Sequence, residues 1–183
     1  MGSVYMHRIL GVDEPRVGLV NIGAEAEKGN QLTKETFKLM QAQAQFRFEG
    51  NVEARDIPSG DIDVVVADGF AGNLILKYTE WLAQALVGML KDEIQSSRKS
   101  MLGAAMMKDA FQSFKARMDY EEQGGAPLLG VNGAVVKAHG SSTARAFKNA
   151  IGQAYRMVKT GMVAEIEKGI AEIAQAEKKE ENA

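Results

Sequence analysis

The chain has 183 residues, 45% of them apolar and 25% charged, with a formal net charge of −2 and no Cys. That length and apolar share suffice for a buried core of domain size, while the missing Cys excludes disulfides, thiolate metal sites and a cysteine acyl-enzyme. Nothing combines clustered Lys and Arg with aromatics on a strand face, so nucleic acid is not an expected partner.

Met1 to Leu10 reads as the end of a helix stopped by Gly11, and Arg16 to Ile22 as a strand after Pro15. A polar, glycine-bearing loop from Gly23 to Asn30 follows, with Thr33 a candidate cap for a helix carrying Phe37, Met40 and Ala44 on one face. Phe46 and Phe48 alternate with polar neighbours as a strand ending at Gly50-Asn51, and Asp63 to Ala67 is a continuous apolar strand. After Asp68-Gly-Phe-Ala-Gly-Asn73 comes a long helix with Asn73 as its candidate N-cap. Its residues Leu74, Tyr78, Trp81, Leu82, Ala85, Leu86, Met89 and Leu90 form one broad face expected to be buried.

Arg98 to Met118 mixes Met101, Leu102, Met106, Met107, Phe111, Phe114 and Met118 with Arg98, Lys99, Lys108, Lys115 and Arg117, opposed only by Asp109. Such a segment can dip apolar side chains into a lipid interface while its basic residues meet anionic head groups, or pack as a helical hairpin against a second subunit. A loop from Gly124 to Gly133 precedes the strand Ala134 to Ala138. His139-Gly-Ser-Ser142 then leads into a helix expected to face inward with Ala144, Phe147, Ile151, Tyr155 and Val158. The charged tail from Glu177 to Asn182 is expected to fray.

Alternating strands and helices predict an α/β protein with a mainly parallel sheet, in which ligands gather at the carboxyl ends of the strands. No linker divides the chain, so residues 1–183 read as one domain with a helical hairpin at about 74–118 inside it. Three loops fall at strand ends: Gly23 to Asn30, Asp68 to Asn73 and His139 to Ser142, with Gly50 to Asp56 a weaker fourth. Gly69 and Gly72 beside a helix start remove side chains that would keep an anion away, which suits a phosphate; the same string also serves as a plain strand-to-helix turn. Lys28 offers a cation, or is simply a solvated loop residue. His139 offers a proton donor beside two hydroxyls, or is incidental to a capping Ser142. The loop carboxylates Glu25, Glu27, Glu53 and Asp56 lack metal-ligand spacing, so no metal is expected. No apolar run reaches the roughly 18 residues needed to span a bilayer, and the absence of Cys and of a secretory signal is that of a cytosolic chain, any membrane contact being peripheral.

Taken together, Pro15-Arg-Val-Gly-Leu-Val-Asn-Ile-Gly23, Lys28-Gly-Asn30, Gly50-Asn-Val-Glu-Ala-Arg-Asp56, Asp68-Gly-Phe-Ala-Gly-Asn73, Gly124-Gly-Ala-Pro-Leu-Leu-Gly130 and Lys137-Ala-His-Gly-Ser-Ser142 resemble the bacterial phosphate acyltransferase PlsX family, in order and from Met1 to about Val158. The resemblance implies transfer of a fatty acyl group from acyl-ACP to inorganic phosphate, giving acyl phosphate for phospholipid synthesis, without a cofactor. It also implies a three-layer α/β/α fold similar to the phosphotransacetylase and isocitrate dehydrogenase type with a protruding helical hairpin, a homodimer, and peripheral membrane association of a cytoplasmic enzyme. Carried over by matching motif, the catalytic residues are Lys28, Asn73 and His139. Phosphate and substrate contacts are Asn21, Gly23, Gly29, Asn30, Asp68, Gly69, Gly72, Gly140, Ser141 and Ser142, and the membrane is met by Met101, Leu102, Met106 and Met107. Met1-Gly-Ser-Val-Tyr-Met6 looks like an interior stretch of the family, so the chain is expected to be a C-terminal portion whose site is incomplete. The alternatives are a phosphotransacetylase-like enzyme on short acyl-CoA and a non-catalytic remnant that dimerises or binds membrane.

Overall fold

In the computed structural model, residues 1–117 and 124–180 are described. They form two compact units, residues 1–67 with 124–180 and residues 68–117.

The first unit opens with helix α1 (Gly2–Leu10), ended by Gly11 in the left-handed conformation at φ 74°, which a residue without Cβ adopts freely. Strand β1 (Arg16–Asn21), helix α2 (Gln31–Gln41), strand β2 (Arg47–Glu53) and strand β3 (Val64–Val66) follow. The strands pair in parallel in the order β2-β1-β3, so β1 is central, and its Val17 and Leu19 are buried. Gly18 sits where a Cβ would lie 2.3 Å from Val52 Cγ2, which lets the two strands' side chains interdigitate. At the amino end of the sheet Arg16 clasps Asp63: its backbone N–H and Nε donate to Oδ2 at 2.8 and 2.9 Å, and an Nη2 hydrogen goes to Oδ1 at 3.1 Å. Those hydrogen bonds, from the guanidinium first and the backbone second, pull the Asp63 carboxyl down to about 2.

The unit closes with the antiparallel hairpin β4 (Ala126–Leu128) and β5 (Val135–Lys137), then α6 (Ala144–Lys159) and α7 (Met162–Glu180). Met157, Met162 and Ile166 form its core, with Val4, Tyr5, Ile9, Leu129, Ala134 and Val136 packed against them. Close packing here depends on small residues. A Cβ on Gly124 would lie 2.2 Å from the Ala150 backbone nitrogen, so the chain before β4 runs directly on the Ala146–Ala150 face of α6. The second unit is helical: α3 (Gly69–Gln95), about 40 Å long at 1.5 Å per residue, then α4 (Arg98–Met106) and α5 (Lys108–Arg117).

The mixed α/β class and the parallel sheet agree with the sequence reading; several particulars do not. β4 lies inside the stretch read as a loop, and β5 pairs with β4 rather than joining the parallel sheet, so His139 follows a hairpin strand. Ala44 falls beyond α2. The caps are Asn30, Asp68 and Thr143, not Thr33, Asn73 and Ser142, because in each case the earlier or later side chain accepts from the N–H two or three residues on. The broad face of α3 is not buried: Leu74, Tyr78, Trp81, Leu86, Met89 and Leu90 are all exposed. On α6 the inward residues are Ala146, Ala150, Gln153 and Met157, whereas Phe147, Ile151, Tyr155 and Val158 are exposed. The helix has an apolar arc wider than one contact can cover, and its small residues, which admit the closest approach, take the core side. Met118 lies outside the described residues, as do Glu181 and Asn182 of the charged tail; α7 continues to Glu180.

Candidate functional site

The strand order reverses at β1: α2 carries the chain to β2 on one side, while β3 lies on the other. In open parallel sheets such a switch point leaves a crevice at the carboxyl ends of the two strands flanking it, here β1 and β3. The loop Gly23–Asn30 leaves β1 at that end, because Asn21 is its last residue.

Two buried asparagines fold this loop. Asn21, 8% exposed, donates from Nδ2 to the Lys28 carbonyl at 3.0 Å, and its Oδ1 accepts from the Ile22 N–H at 2.8 Å. Asn51 of β2, also 8% exposed, donates from Nδ2 to the Glu25 carbonyl at 2.8 Å. The Glu25 carbonyl accepts in addition from the Lys28 N–H at 3.2 Å, closing a turn. With its carbonyls drawn toward the sheet, the loop leaves the Lys28 side chain exposed, the stem crossing Gly23, where a Cβ would stand 3.0 Å from Lys28 Cγ. Gly29, at φ 92°, turns the chain into α2; a Cβ there would strike Thr33 Oγ1 and Asn21 Oδ1 at 2.2 and 2.4 Å. Asn30 then caps α2, its Oδ1 accepting from the Thr33 N–H at 2.9 Å. Lys28 is thus exposed three residues ahead of an 11-residue helix, whose dipole adds positive potential at its start. Glu25 and Glu27 share the loop and are exposed; a Cβ on Gly23 would lie 2.8 Å from Glu25 Oε2, so that carboxylate flanks the Lys28 stem, where solvent weakens its field.

The other predicted residues belong to two further stretches of the chain. His139, Gly140, Ser141 and Ser142 form a tight turn after β5, closed by the Ser142 N–H donating to the His139 carbonyl at 3.0 Å. The Ser141 N–H donates to His139 Nδ1 at 3.2 Å, and the Ser141 hydroxyl lies 2.7 Å from the same nitrogen. A backbone N–H can only donate, so Nδ1 is the acceptor and the neutral ring carries its proton on Nε2. In the second unit Asp68 caps α3, its Oδ1 accepting from the N–H groups of Phe70 and Ala71 at 2.8 and 2.7 Å. Two of the N–H groups at this helix start are therefore engaged by a carboxylate of the chain itself. Gly69 has nothing within 4 Å of a would-be Cβ, and Asn73 is an exposed residue on the helix itself. Met101, Leu102, Met106 and Met107 are exposed on α4 and at its end, Met106 at 89%.

Sequence reasoning assigned Asn21 to substrate and passed over Asn51. The signal was present, since each is an Asn where a buried strand position favours an apolar residue. Among the described residues no cluster of His, Cys, Asp and Glu could hold a metal ion, and no helix is long and apolar enough to cross a membrane.

A profile of the family described as fatty acid synthesis protein matches residues 1–165. The chain belongs to that family. Proteins named phosphate acyltransferase are similar to this chain. One from Clostridium botulinum (strain Loch Maree / Type A3) is 49% identical over 175 residues, covering 96% of this chain and 52% of that protein. Another from Alkaliphilus oremlandii (strain OhILAs) is 46% identical over 177 residues, 97% of this chain and 52% of that one. A third, from Clostridium perfringens (strain SM101 / Type A), is 48% identical over 170 residues, 93% and 50%. The chain spans about half the length of the curated relatives it matches.

Proposed function

We propose that this chain carries the phosphate-binding half of an enzyme that transfers a fatty acyl group from acyl-ACP to inorganic phosphate. The observation that carries the reading is the anchored Gly23–Asn30 loop, which holds the exposed Lys28 beside the α2 start at a strand-order reversal. In the reaction a phosphate oxygen bonds to the thioester carbonyl carbon, the carbonyl becomes an oxyanion, and collapse breaks the C–S bond and releases the carrier thiolate, which takes a proton. Phosphate is already an anion near neutral pH, so position and charge stabilisation matter more than a strong base, and no acyl-enzyme is needed. Lys28 clamps the phosphate or the oxyanion, Asn73 donates a hydrogen bond, and His139 contacts phosphate or protonates the thiolate through Nε2. Gly23, Gly29, Asn30, Gly140, Ser141 and Ser142 complete the contacts; Asn21 acts through the loop, and Asp68, Gly69 and Gly72 shape the start of α3.

Removing one oxyanion donor costs about 2.7 to 4 kcal/mol, or roughly 100- to 1000-fold in kcat. Lys28→Ala and Asn73→Ala, each assayed within a chain of the relatives' full length, are expected to lose activity on that scale. Near wild-type kcat in both sinks the assignment. The exposed apolar face of α3 supports a homodimer, and Leu102, Met106 and Met107 with Arg98, Lys99 and Lys108 around them support peripheral contact with an anionic membrane from the cytoplasmic side.

A further inference from the structure

Asn51 is a costly choice for its position. It lies on β2 with Leu19 of β1 as its partner in register, and its Oδ1 is buried without a hydrogen-bond partner among the described residues. An orphaned acceptor in a strand interior is penalised, and an apolar side chain of the same size would escape the penalty. Stability therefore does not account for an Asn here. What the side chain does accomplish is the single contact from Nδ2 to the Glu25 carbonyl, on the far side of the loop from the Asn21 anchor at Lys28. The two anchors grip the carbonyls at either end of Glu25–Lys28, and the turn between them decides where the Lys28 ammonium stands.

We propose that Asn51 is a positioning residue: by tethering the Glu25 carbonyl it fixes the Gly23–Asn30 loop in the conformation that presents Lys28 to a phosphate, at the expense of an unsatisfied buried acceptor. The inference rests on the phosphate reading above. Removing the tether does not orphan the Glu25 carbonyl, which keeps the Lys28 N–H, so the loop loosens while the sheet stays whole.

The test compares the wild-type sequence with Asn51→Leu, and with Asn51→Ala in case Leu overfills the site, each within a chain of the relatives' full length. Three measurements are made: the thermal midpoint, backbone amide exchange, and the 31P signal of inorganic phosphate titrated with protein. Asn51→Leu is expected to melt at or above the wild-type midpoint, since the orphaned acceptor is gone. Amides of Ala26 to Asn30 are expected to exchange about tenfold faster while those of β1 keep their protection, and the phosphate dissociation constant is expected to rise about tenfold. Unchanged loop protection in both variants overturns the positioning role, as does faster exchange with unchanged phosphate affinity. A wild-type chain that leaves the 31P signal unmoved overturns the phosphate reading itself, and the inference with it.

Discussion

Gly29 is the position at which the loop geometry can be put to a quantitative test. Replacing it with Ala imposes two costs. An L-residue at φ 92° is strained by about 1 to 2 kcal/mol. The new Cβ would also stand 2.4 Å from Asn21 Oδ1 and 2.2 Å from Thr33 Oγ1, so Asn21 must move and surrender its bond to the Lys28 carbonyl. A hydrogen bond of that kind contributes about 0.5 to 1.5 kcal/mol, which brings the expected loss to about 1.5 to 3.5 kcal/mol. Gly11→Ala supplies the control: φ is 74°, but nothing lies within 4 Å, so only the backbone strain of about 1 to 2 kcal/mol applies. Urea unfolding of the two variants and the wild type measures both losses. Gly29→Ala is expected to cost about 1 kcal/mol more than Gly11→Ala and to accelerate amide exchange in the loop. Equal losses with an unchanged loop would refute the claim that Asn21 and Gly29 are locked together.

Asp63 predicts an acid limb of stability. Its carboxyl titrates at about 2 in the folded chain against an ordinary value near 3.8, so the native state binds fewer protons; the contribution is complete above pH of about 4 and is lost as pH falls toward 2. Thermal midpoints measured across that window are expected to fall in the wild type and to fall less steeply in Asp63→Asn, which starts lower; parallel curves contradict the linkage. At the α4 end, Met106→Asp with Met107→Asp is expected to abolish co-sedimentation with anionic liposomes while leaving the midpoint unchanged, because both side chains are exposed. Unchanged co-sedimentation rejects membrane contact there.

Local rules made much of the fold legible in the sequence. Gly11 stops α1, the Val-rich runs form β1 and β3, and the polar, glycine-bearing stretch after Asn21 is the loop that carries Lys28. The misassigned helix faces share a cause, for amphipathic periodicity shows that a helix has an apolar face but not what covers it. Thus the stripe Phe147, Ile151, Tyr155 and Val158 was assigned to the core, while the core side of α6 is built on Ala146, Ala150 and Met157, which the close pass of Gly124 can accommodate. At the start of α3 the sequence suggests a place for a phosphate, and there Asp68, one residue ahead of Gly69, supplies a negative charge of its own to the N–H groups of Phe70 and Ala71. Asn51 escaped notice because a strand-interior Asn acquires its meaning only from the loop that the parallel pairing brings beside it.

The central claim is that Lys28 serves phosphate in acyl transfer from a carrier protein. It is tested most directly by joining this chain to the part of a curated relative outside the aligned region. Acyl phosphate is then measured from long-chain acyl-ACP or acetyl-CoA with inorganic phosphate, with and without Lys28→Ala. Acyl phosphate is expected from acyl-ACP in preference to acetyl-CoA, with a loss of roughly 100-fold or more in kcat on substitution of Lys28. Turnover of acetyl-CoA in preference to acyl-ACP, or a Lys28→Ala chain with near wild-type kcat, would contradict the account.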